Sequence, residues 1–67
     1  MRQILEDIAT AVGAEKLHVS GIEGGYRVTW SWADGKKLAT DFRHDIFASL
    51  MNGNANIRAT LIKELSA

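Results

Sequence analysis

The stretch YRVTWSWADGKKLATDF, residues 26–42, decides how this chain folds. Over its first seven residues, Tyr26, Val28, Trp30 and Trp32 alternate with Arg27, Thr29 and Ser31. A period of two is the mark of a β-strand with one apolar and one polar face. Asp34-Gly35 then signals a turn, and its length sets the register of everything after it. A two-residue loop would pair Trp30 with Ala39 and carry Lys37 and Asp41 onto the tryptophan face, burying charge among aromatics. A three-residue loop over Ala33, Asp34 and Gly35, closed by Gly35 in the left-handed region, pairs Trp30 with Leu38, Tyr26 with Phe42 and Arg27 with Asp41. The second register is the expectation, because it keeps the faces consistent and sets opposite charges across from each other.

Upstream, Leu17 and Val19 alternate with His18 and Ser20 from Lys16 onward, a second strand. Gly24-Gly25 suits a two-residue turn between the two strands, which places Val19 opposite Trp30. The first dozen residues change period: Ile4, Leu5, Ile8 and Val12 fall on one helical face, with Arg2, Gln3, Glu6, Asp7 and Thr10 on the other and Gly13 as the stop. After Arg43 the helical period returns in Ile46, Phe47, Leu50 and Met51, with Asp45 or Asp41 as the expected cap. Gly53 ends that helix and Asn54 caps a last one, in which Ile57, Leu61 and Leu65 share a face and Arg58, Lys63 and Glu64 lie outside it. The expected fold is α+β in the order α-β-β-β-α-α, a three-stranded antiparallel meander with helices packed on one face. Residues 1–67 are expected to form a single small domain, because a chain of this length supports one core.

The aromatic stripe is then the inner face of the sheet, packed against the apolar faces of the first and last helices, with Trp32 more exposed than Trp30. With 46% hydrophobic and 24% charged residues the composition is that of an ordinary folded domain. Eight basic residues balance eight acidic ones, which leaves no global field to attract nucleic acid or an anionic membrane. There is no cysteine, which excludes disulfides, thiolate metal sites and cysteine nucleophiles. Glu6 and Asp7 interrupt the apolar residues of the N-terminus, so it reads neither as a signal peptide nor as a membrane span, and the expected location is cytoplasmic.

No spacing points to catalysis. A zinc site would need His18 and His44 together with Asp41 or Asp45, and nothing in their order favours that. No two of Glu6, Asp7, Asp34 and Asp41 are set to press against each other, and Gly24-Gly25 leads into a strand rather than into a helix as a phosphate loop would. What remains is the polar face of the sheet. Its candidate binding residues are His18, Arg27, Thr29, Ser31, Lys37 and Arg43, with Ser20, Ile22, Ala39 and Asp41 completing it.

In topology the order of elements is similar to double-stranded-RNA-binding domains and to the small sheet-plus-helix DNA-binding domains of some phage integrases. The RNA-binding family carries a basic motif at the start of a helix, whereas Lys36 and Lys37 here begin a strand. Neither family is therefore assigned. The expectation is a non-catalytic binding module without cofactor or metal. It acts on a protein partner as a regulator, inhibitor or accessory subunit and makes no use of a membrane. The alternative is nucleic-acid binding through Arg27, Lys37 and Arg43. The two sheet edges that a meander leaves unpaired also make a homodimer an open expectation.

Overall fold

A computed structural model describes residues 3–66; the two N-terminal residues and the last one of the expected domain lie outside it. The elements run α1 (Gln3–Val12), β1 (Lys16–Ile22), β2 (Gly25–Ser31), β3 (Lys37–Arg43), α2 (His44–Met51) and α3 (Ala55–Leu65). The strands form one antiparallel sheet in the order β1-β2-β3, with the helices on its tryptophan side, so the expected α+β meander is the observed fold.

The turn after β2 has the expected length. Trp30 pairs with Leu38, Tyr26 with Phe42 and Arg27 with Asp41. Trp32 closes the loop by donating its backbone N–H to the Lys36 carbonyl, and Gly35 sits at φ 93° between them. That conformation is strained for any residue with a Cβ, so the glycine is what lets a three-residue loop close here.

The first turn departs from expectation. Glu23 and Gly24 form it, and Gly25 is the first residue of β2. Leu17, not Val19, is therefore opposite Trp30, and Val19 faces Val28. The slip is of two residues, which keeps every side chain on its expected face and hides the difference from any pattern argument. Position 25 of the strand requires glycine, because a Cβ there would run into the backbone carbonyl of Phe42 on β3.

Helix ends explain the remaining breaks. After α1, Ala14 donates to the Ala9 carbonyl and Gly13 to that of Thr10; after α2, Asn54 donates to Ser49 and Gly53 to Leu50. Both are the paired bonds of a Schellman stop, which satisfy carbonyls that the helix leaves orphaned. Asn54 Oδ1 accepts from the backbone N–H groups of Asn56 and Ile57 and caps α3 as expected. The cap of α2 is a correction: Arg43 occupies that position without a side-chain bond to the helix backbone, Asp45 lies inside the first turn, and Asp41 is held by Arg27.

Leu5, Ile8 and Ala9 of α1, Val28 and Trp30 of β2, Leu50 of α2 and Leu61 and Leu65 of α3 form the buried core. Trp30 is 0% exposed at its centre. Trp32 is half-buried at the rim, where its indole N–H donates to the Val12 carbonyl at 3.0 Å and ties the end of α1 to the sheet. Among the described residues no helix is long and apolar enough to cross a membrane.

Candidate functional site

With all three helices on one side, the other face of the sheet meets solvent. Its rows follow from the register. Lys16, Ser31 and Lys37 lie nearest the 33–35 turn; His18, Thr29 and Ala39 come next, then Ser20, Arg27 and Asp41; Ile22, Gly25 and Arg43 close the far end. All six candidate residues, His18, Arg27, Thr29, Ser31, Lys37 and Arg43, thus stand on one surface. Period-two spacing made that placement legible. Lys16, which shares the parity of His18, belongs with them and puts a second ammonium group across Ser31 from Lys37.

The cations of this face are not equivalent. Arg27 grips Asp41 as a fork, Nε to Oδ1 at 2.8 Å and Nη2 to Oδ2 at 3.1 Å, with the two side chains 49% and 52% exposed. The paired hydrogen bond holds the Asp41 carboxyl below its ordinary range and raises Arg27 further above its own. Arg43 turns along the chain to Asp45, with Nη2 3.1 Å from Oδ2. That bond, helped by the Ile46 backbone N–H, lowers the Asp45 carboxyl. Lys16 and Lys37 make no ion pair among the described residues.

His18 and His44 are not brought together. His18 is exposed in the middle of β1, whereas His44 opens α2 beyond the other edge strand. Its ring meets Tyr26 edge-on at 5.3 Å, and Phe47 lies 4.6 Å from Tyr26 on the next side. Among the described residues no three of His, Asp and Glu gather as a metal-binding group.

The Tyr26–His44–Phe47 cluster escaped sequence reasoning. It lines a shallow cleft of about 360 Å³ with Ala48, Met51 and Asn52. The signal was indirect: Tyr26 follows the first turn and His44 follows the last strand, so antiparallel pairing sets the two ends side by side, as the His44 N–H donating to the Gly24 carbonyl records. In chemical terms the open face offers hydroxyls, an imidazole, two lysines and two neutralised arginines on one surface. Hydrogen bonding to a complementary surface is within its means.

No family model matches the chain, and no curated protein or solved structure is significantly similar to it.

Proposed function

We propose that the chain is a non-catalytic binding module that docks a protein partner on the open face of its sheet, as a regulator, inhibitor or accessory subunit. One observation carries the reading: both arginines of that face are already held by carboxylates of the same chain. A phosphate bound at either arginine would have to displace Asp41 or Asp45, whereas a protein surface can meet the neutral pairs and the hydroxyls of Thr29 and Ser31 as they stand. We place this activity in the cytoplasm, the location expected from the N-terminal charge pattern.

The rival reading, nucleic-acid binding by Arg27, Lys37 and Arg43, draws support from Lys16 and Lys37, which flank Ser31 at one end of the face. Salt separates the two. Phosphate contacts predict binding to random duplex at low salt that weakens steeply as salt rises, and the protein reading predicts none. Capture from the native host by the immobilised chain completes the test. A partner protein held by the wild type and released by Thr29→Arg, with an unchanged circular dichroism spectrum, supports the proposal. Recovery of nucleic acid without protein would reject it.

A further inference from the structure

We propose that two copies of this chain join edge to edge through β1, in antiparallel register about a two-fold axis at Val19, so that two three-stranded sheets become one of six strands. The inference stands apart from what the open face binds.

The two edge strands of the sheet differ in how they treat a newcomer. Outside the ladder with β2, residues 16–22 make no hydrogen bond to any described residue, so their outward N–H and C=O groups are a template for another strand. Edge strands are usually blunted by proline, by bulges or by charge along their length. β1 has no proline, pairs with β2 without a bulge, and carries Lys16 as its one charged residue. β3 carries Lys37, Asp41 and Arg43. Leu17 and Val19 remain half-buried where Val28 and Trp30 of the central strand are fully covered.

Parity then selects the partner and the register. Residues directly opposite in an antiparallel ladder point to the same face, so between two copies of β1, whose Leu17 and Val19 are both odd-numbered, apolar meets apolar only if the paired numbers sum to an even value. The register centred on Val19 is the one of these that uses every residue of β1. It sets Leu17 opposite the small Gly21, Val19 opposite itself, His18 opposite Ser20 and Lys16 opposite Ile22, with no like charges facing. The same operation on β3 sets Lys37 opposite Arg43 twice. A full β1 to β3 ladder sets Lys16 opposite Arg43. Like charges directly opposed destabilise a ladder, so β1 with a second β1 is the favoured pairing, and its two-fold symmetry closes after two copies.

Sedimentation equilibrium of the full chain tests the idea. The wild type is expected at twice its 7.4 kDa mass at high micromolar concentration. His18→Lys with Ser20→Lys opposes like charges in both symmetry-related pairs and should weaken association by on the order of tenfold. His18→Glu with Ser20→Lys sets opposite charges there and should keep the dimer, on a strand altered at the same two positions. A wild type that stays monomeric, or a dimer equally tight in both variants, overturns the proposal. Since the chain lacks cysteine, register can be read directly. Opposite Cα atoms in an antiparallel pair lie about 4.5 to 5.5 Å apart, within disulfide reach. A mixture of His18→Cys and Ser20→Cys chains should oxidise to a cross-linked heterodimer faster than either chain oxidises alone. Equal rates would overturn the register.

Discussion

The indole N–H of Trp30 donates to Thr40 Oγ1 at 3.0 Å, and the same hydroxyl donates to the Val28 carbonyl at 3.3 Å. Trp30 is thus both the largest fully buried side chain and a polar group with its partner supplied by the neighbouring strand. A buried indole needs such a partner, and a threonine can accept and donate at once. Thr40→Val keeps the shape and removes the acceptor. We expect it to cost about 1 to 3 kcal/mol in chemical denaturation, and an unchanged midpoint would show that the indole finds another acceptor.

Trp30→Ala should cost about 3 to 5 kcal/mol. A core of this size rarely supplies more than that, so the variant is expected to be unfolded by circular dichroism at room temperature. Trp32→Ala should cost less, because Trp32 is half-buried and its specific tie is one bond to the Val12 carbonyl. A folded Trp30→Ala chain that no longer binds its partner would instead make the tryptophans the recognition surface.

Arg27→Ala should leave the denaturation midpoint nearly where it was, since both members of its pair with Asp41 are about half exposed to water. Partner capture should fall while the fold stays. Capture unchanged in Arg27→Ala and in Thr29→Arg alike would move the binding surface elsewhere.

Gly25→Ala should destabilise the chain although it adds one methyl group, because the new Cβ meets the Phe42 backbone carbonyl rather than a side chain that could turn away. Overpacking of this kind costs about 1 to 3 kcal/mol. Gly21→Ala, with open space around the added atom, is the matched control and should be far milder.

Acid should act through the two paired carboxylates. Asp41 and Asp45 are both lowered in the folded chain, by Arg27 and Arg43 respectively. A group lowered by folding contributes stability that is complete above its unfolded value and is lost as pH falls through the folded one. The loss should therefore set in below about pH 4, where unfolded carboxyls begin to bind protons. In a urea series between neutral pH and strong acid, Asp41→Asn should show a shallower decline than the wild type. Parallel curves would mean that the pair is not formed in solution.

Alternation and helical spacing within the chain were enough to determine the kinds of elements, their order, the two faces of the sheet and the placing of Arg27 opposite Asp41. The first three depend on neighbours a few residues apart, and the last on the turn length, since burying charge among aromatics excluded the competing loop after Ser31. Tertiary structure alone decided the pairing of Leu17 with Trp30. A slip of two residues changes no side chain's face, so alternation cannot tell the two registers apart, and the difference lies in Gly25 joining β2 rather than the turn. The start of α2 has a tertiary origin too: Arg43 occupies the cap position without a capping bond, and Asp41 lies back within β3, held by Arg27. The Thr40 partner of Trp30 and the Tyr26–His44–Phe47 cluster share that origin, since they join residues whose meeting depends on strand pairing and helix packing rather than on any local pattern.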